Sequence, residues 1–209
     1  MNITISSLKN TVEKLNYKWF EDRPNIIGVR TKLEVPDVFN DLLAVVYKED
    51  NIEKMKVFCI TTEPGVFYQK DLLNSQGCAI VEPGQWLDAY SIGFHKGYDG
   101  TKINPKTQTP YPSHRALLLT GHIMIKRDAD KDGTAGNSGV VVKGDGTGCN
   151  IHGAMRADVT RTIGPWSAGC QVFAAWKEKE TFMDICEKYR NLVHNKFTYT
   201  LIKEEQLIA

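Results

Sequence analysis

The chain has 209 residues, of which 42% are hydrophobic and 24% charged, and its formal net charge is +1. That length suffices for one domain with its own core, and the balanced charge gives no reason to expect a nucleic-acid partner. No apolar stretch reaches the roughly 18 residues of a membrane span, and no secretory leader pattern opens the chain, so it is expected to be cytoplasmic as synthesised.

Leu8, Val12 and Leu15 repeat at helical spacing behind Ser6 and Ser7, either of which suits a cap, and predict a short amphipathic helix. Branched, apolar runs within 25–31, 41–49 and 55–63, bounded by Pro, Asp, Asn and Gly, predict strands. Residues 1–50 thus read as a helix-and-strand extension, either a small lobe or part of the same sheet, ahead of a main domain over 51–209. Residues 63–100 are rich in turn formers, and 101–114 are polar with three prolines, predicting a surface loop that frames a site. Further strands are predicted within 115–128, 138–145, 148–154 and 196–202. Phe182, Ile185, Cys186, Tyr189, Leu192 and Val193 fall on one helical face, with Lys and Glu opposite. The fold class read from this order is mainly β (α+β), with one packed helix towards the C-terminus.

Five cysteines, at 59, 78, 149, 170 and 186, are odd in number and widely spread, which fits a reducing compartment and leaves at least one thiol free. A cysteine attacks as thiolate, so a catalytic one needs a base to take its proton, and histidine is the usual agent. In "SAGC" a glycine precedes Cys170 and allows close backbone approach. The only histidine shortly before it is His152, in "IHGA", with 14 residues between His152 and Ser167. That interval accommodates a strand, a loop and a return strand that bring both side chains over one cleft.

"IHGA" followed by "SAGC" resembles the signature of L,D-transpeptidase catalytic domains (YkuD-like): histidine in an HG pair, 14 to 17 residues, then Ser or Thr, His, Gly, Cys. His152, Gly153, Ser167, Gly169 and Cys170 match. Two positions depart: Ala168 stands where the family usually has His, and Val172 where it usually has Arg or Asn. The resemblance covers chiefly residues 148–173 and implies a β-sandwich catalytic domain acting on peptidoglycan stem peptides through a cysteine thioester, with no cofactor. It implies Cys170 as nucleophile, His152 as base, backbone amides around Gly169 and Cys170 as oxyanion donors, and Ser167 as a steadying group for histidine or substrate. Without the family's Arg, the substrate carboxylate is expected to meet Arg156 or Arg161, and Trp166 to wall the site beside Gly153. The altered motif and the lack of an export leader favour hydrolysis, as carboxypeptidase or endopeptidase, over cross-linking. Such a lytic enzyme would act on the cell wall after release or export by another route. The alternative is a binding module on the same fold that has lost turnover. Oligomeric state is not legible.

Several other features have plainer readings. "SQGC" at 75–78 copies the local form, yet no histidine precedes it, so Cys78 reads as structural. Cys149 and His152 have C-x-x-H spacing, but strand alternation points them to opposite faces, which opposes a shared zinc. Asp128, Asp130 and Asp132 copy the first half of a calcium loop, whose twelfth position here is Gly139 rather than Glu, so a solvated acidic turn is expected ahead of a calcium site. His95, His114, His122 and His194 read as ordinary surface or core histidines.

Overall fold

A computed structural model describes residues 3–33, 35–96, 103, 108, 113–136, 139–154 and 159–208 of the protein. Helix α1 (Ile5–Lys14) is capped by Thr4, whose hydroxyl accepts from the Ser7 amide while the Ser7 hydroxyl accepts from the Thr4 amide. The cap therefore lies ahead of both serines, and Ser7 closes a reciprocal box that satisfies two amides of the first turn. Strands β1 (Asn25–Arg30), β2 (Asp41–Glu49) and β3 (Ile52–Thr61) follow, then the short α2 (Val66–Lys70), β4 (Cys78–Val81) and the long β5 (Gly84–His95). The chain continues through β6 (His114–Leu119), β7 (Met124–Asp128), β8 (Val141–Lys143), β9 (Ile151–Gly153) and β10 (Gln171–Phe173). Helix α3 (Trp176–Tyr189) and β11 (Phe197–Lys203) end it.

Eight strands close a barrel in the order β1-β11-β5-β6-β9-β10-β3-β2, and β4-β7-β8 form a separate three-stranded sheet. The mainly β reading holds, but the expected sandwich does not describe these strands. The difference comes from the front of the chain: β1 pairs parallel with β11 and antiparallel with β2, so the first strand joins both edges and removes them. A boundary near residue 50 would fall inside the β2–β3 hairpin, whose two turn residues, Asp50 and Asn51, both have positive φ, as a tight primed turn requires. The front strands β1 and β2 therefore belong to the barrel.

Alternation sorts the front strands between two cores. Ile26, Leu43 and Val45 face the central core, whereas Ile27, Val29, Ala44 and Val46 meet Leu8 and Val12 of α1. A strand covered on both faces reads as a continuous apolar run, as "NIIGV" does. Gly28 sits among them because a Cβ there would collide with the Tyr199 hydroxyl, which donates to Gln171 Oε1 at 2.9 Å. Helix α3 seals the central core with Phe182, Met183, Ile185 and Cys186, and Phe182 packs against Phe173 and Phe58 with ring centroids 5.2 and 6.3 Å away. The helix stops at Tyr189, earlier than its periodicity predicts, and Leu192 is 54% exposed. Asn195, at positive φ, turns the chain there and exchanges hydrogen bonds with both backbone groups of Ile92.

The turn-rich reading of 63–100 missed β4 and β5. Single polar residues such as Gln85, Asp88 and Ser91 break the apolar pattern of β5, and pairing with β11 and β6 overrides that local signal. Most of the expected loop at 101–114 lies outside the described residues. No described helix is long and apolar enough to cross a membrane.

Candidate active site

Cys170 stands one residue before β10, at the end of a tight turn that begins with a 3₁₀ turn at Gly164–Trp166. The Ser167 hydroxyl is fully buried; it donates to the Cys170 carbonyl at 2.9 Å and accepts from the Gly169 amide at 3.2 Å. Ser167 therefore builds the turn and does not touch the histidine or line the cleft. Gly169 has φ +134°, and a Cβ there would fall onto the Ala79 carbonyl of β4. Glycine is required on both counts, and β4 lies against this turn, where the Ala79 amide donates to the Ala168 carbonyl at 3.4 Å.

The parallel pairing of β9 with β10 sets Ile151 beside Gln171 and His152 beside Val172. With side chains alternating, His152, Val172 and Cys170 share one face while Ile151 and Phe173 enter the core. The imidazole Nδ1 lies 2.9 Å from the Gly153 carbonyl. A carbonyl only accepts, so Nδ1 carries the proton and Nε2 presents its lone pair. Nε2 is buried and meets no hydrogen-bond partner among the described residues. The Gly153 carbonyl thus fixes the tautomer, and a Cβ on Gly153 would crowd Trp176 and Lys179, outside the residues that line the cleft.

His152 and Cys170 line one cleft of about 210 Å³, together with Trp166, Tyr68, Leu73, His95, Lys96 and Thr147. His95 stacks on His152 with centroids 3.9 Å apart and planes 13° from parallel, and His114 stands 5.3 Å from His95. Asn150 orients His95: its Oδ1 accepts from the Leu119 amide, so its Nδ2 faces and donates to His95 Nδ1 at 3.2 Å. Burial depresses His152 well below the ordinary histidine range, with neighbouring His95 adding to the effect. Burial likewise lowers His95 to about 3, helped by His114 and Lys96. Burial pushes the Cys170 thiol up to about 12, with Cys149 reinforcing and the Asn150 amide and Lys96 opposing. The resting pair is a neutral thiol, donating to the Gly148 carbonyl at 3.3 Å, and a neutral imidazole.

These depressed histidines make stability depend on pH with a definite sign. The unfolded chain binds their protons below about 6.5 and the folded chain resists until far lower, so their contribution is complete above 6.5 and is lost as pH falls towards 3. Urea midpoints are expected to drop between pH 7 and pH 4, by at most about 1.4 kcal/mol per pH unit for each histidine. His95→Gln should flatten that slope; an unchanged slope would contradict the assignment.

Of the residues expected at the site, Cys170, His152, Gly169 and Trp166 line the cleft. Arg161 is exposed and lies outside it, and Arg156 lies outside the described residues. The cation that does line it is Lys96, at positive φ, with its ammonium 5.9 Å from the Trp166 ring centroid. Lys96 and His95 were illegible as site residues because the β5–β6 and β6–β9 pairings that bring them to His152 are non-local. The Gly169 amide, expected to be free as a donor, is occupied by the Ser167 hydroxyl. Cys149 packs in the core and also reaches the cleft wall, while Cys78 is buried in β4. Asp130 and Asp132 accept from backbone amides two residues on, and buried Asp128 accepts from the Gly136 amide. The acidic segment is a turn held by its own carboxylates, and no described group of three or more His, Cys, Asp or Glu is arranged for a metal. Comparison of the chain with protein-family models, curated proteins and solved structures found no match.

Proposed function

We propose that the protein is a cysteine peptidase or acyltransferase acting on peptidoglycan stem peptides, a divergent relative of the L,D-transpeptidases built on a closed barrel, with water as its usual acceptor. The observation that carries this reading is the shared cleft of His152 and Cys170, with an unpartnered Nε2 lone pair set opposite a proton-bearing Nδ1.

In the proposed step the thiol leaves the Gly148 carbonyl and passes its proton to His152 Nε2 as sulfur attacks the carbonyl joining the L-centre of a diamino acid to a D-residue. The Cys170 amide stabilises the oxyanion. The carbon–nitrogen bond breaks, His152 returns the proton to the leaving amine, and a thioester remains. Water, deprotonated by His152, then releases the acid and restores the thiol. Because both partners rest neutral, nucleophile activation belongs to the substrate-bound state rather than to a standing ion pair. The cleft opens to solvent beside Cys170, which supports water as acceptor; an amine would give a cross-link instead.

Lys96 takes the place of the family's Arg as the group that meets the D-residue carboxylate. Lys96→Met is expected to raise KM about tenfold, with kcat changed little, for peptides ending in a free carboxylate, and to leave amidated peptides unaffected. Equal effects on both would remove Lys96 from that role.

Tetrapeptide and cross-linked muropeptides incubated with the protein, with products and intact protein followed by mass, test the whole reading. Loss of the D-residue and a transient acyl adduct on Cys170 are expected; unchanged peptides sink it. The raised thiol favours one other reading, a wall-peptide binding module, which would bind the same peptides equally with and without the sulfur and never acquire the adduct.

A further inference from the structure

The two imidazoles stacked at the cleft carry their protons on opposite nitrogens. His152 holds its proton on Nδ1, against the Gly153 carbonyl, and presents a lone pair on Nε2. His95 is the reverse. Asn150 Oδ1 accepts from the Leu119 amide at 2.9 Å, which leaves Asn150 Nδ2 as the atom 3.2 Å from His95 Nδ1. An amide nitrogen only donates, so His95 Nδ1 is the acceptor and the proton of the ring sits on Nε2. That N–H meets no hydrogen-bond partner among the described residues, and in contrast to His152 Nε2 it is not sealed from solvent. The ring lines the same cleft as Cys170, so the N–H is offered to the space beside the sulfur.

With Nδ1 engaged and Nε2 protonated, His95 is no base; it can only donate. Burial lowers it to about 3, so near neutral pH it offers a neutral N–H rather than a cation. Such a donor suits a negative oxygen that exists only while sulfur is adding to a carbonyl, because the interaction strengthens as the charge develops. The nucleophile turn leaves room for this role, since the Gly169 amide is spent on the Ser167 hydroxyl at 3.2 Å. We propose that His95 is a second catalytic histidine, its Nε2–H joining the Cys170 amide to hold the oxyanion of the tetrahedral adduct, with Asn150 as the positioning residue that sets its tautomer. The inference rests on the cysteine acyl-transfer reading and gives the two stacked rings separate tasks, proton transfer for His152 and charge stabilisation for His95.

Nitrogen-15 NMR of the full-length protein near neutral pH reads the tautomer without turnover. His95 is expected to show a protonated Nε2 and a bare Nδ1; the opposite pattern overturns the proposal and leaves the acyl-transfer reading standing. In the muropeptide assay His95→Phe, which keeps a flat ring against His152 but has no N–H, should lower kcat about a hundredfold with KM changed little. His95→Gln, which keeps an N–H, should stay within about tenfold of wild type. Asn150→Asp, whose carboxylate accepts from Nδ1 and so moves the proton off Nε2, should cost at least as much as His95→Phe. A stem-peptide aldehyde, which forms a hemithioacetal with Cys170, separates this role from a structural one. His95→Phe should weaken the aldehyde about a hundredfold while tetrapeptide binding to Cys170→Ala is the same with and without His95→Phe. Full kcat in His95→Phe, or equal losses for aldehyde and tetrapeptide, removes His95 from the oxyanion. If the wild type turns over no peptide, the acyl-transfer reading falls and this role with it.

Discussion

Cys170→Ala is expected to lower release of the terminal D-residue from a tetrapeptide stem by about ten-thousandfold or more, to the level of the uncatalysed control, with the fold intact. The half-buried sulfur lines the cleft at the edge of the Phe39, Ile163 and Val172 cluster, so its truncation removes only part of one side chain's packing. His152→Ala should cost about a thousandfold, since it deletes the base that both generates the thiolate and protonates the leaving amine. It should also leave a vacancy against the His95 ring, so melting curves of both variants separate chemistry from stability. Turnover by Cys170→Ala at even a tenth of the wild-type rate would end the proposed mechanism. The same assay on His95→Gln gives a graded case: the ring stacked on His152 holds its orientation and helps depress its protonation, so the acid limb of the pH profile should move before the maximal rate does.

Gly169→Ala should be the most damaging methyl group that can be added near the site. The residue has φ +134°, and its Cβ would overlap the Ala79 carbonyl of β4, so backbone strain and steric overlap act together. A loss of about 3 kcal/mol, or roughly 10 °C in Tm, is expected. Gly148→Ala is the control: its φ is +73°, but nothing lies within 4 Å of the added carbon, so only strain of about 1 kcal/mol applies. Turnover by Gly169→Ala should fall further than its stability loss explains, because β4 must retreat from the turn that aims the sulfur. Equal melting temperatures for the two alanine variants would show that β4 does not brace the nucleophile turn.

Much of this arrangement was readable from residue order. Continuous apolar runs such as "DLLAVVYKE", buried on both faces, and the 3.6-period face of α3 announce themselves because a strand or helix must bury its apolar side whatever its partner. The His152–Cys170 pair was visible through local chemistry, glycines beside both residues and an interval long enough for two adjacent strands. The end of α3 was misjudged because Leu192 continues the helical period, while the turn depends on Asn195 bonding to Ile92, about a hundred residues away in sequence.

The linear sequence on its own determined α1, the core of α3, the strands outside residues 63–100 and the mainly β class, and it nominated Cys170 and His152 as nucleophile and base, since these follow from propensity, periodicity and side-chain chemistry within short windows. Closure of the barrel, the His95 stack and Lys96 in the cleft were decided only by tertiary structure. Each depends on pairings between strands remote in the chain, whose register is set by burial and packing summed over the whole core.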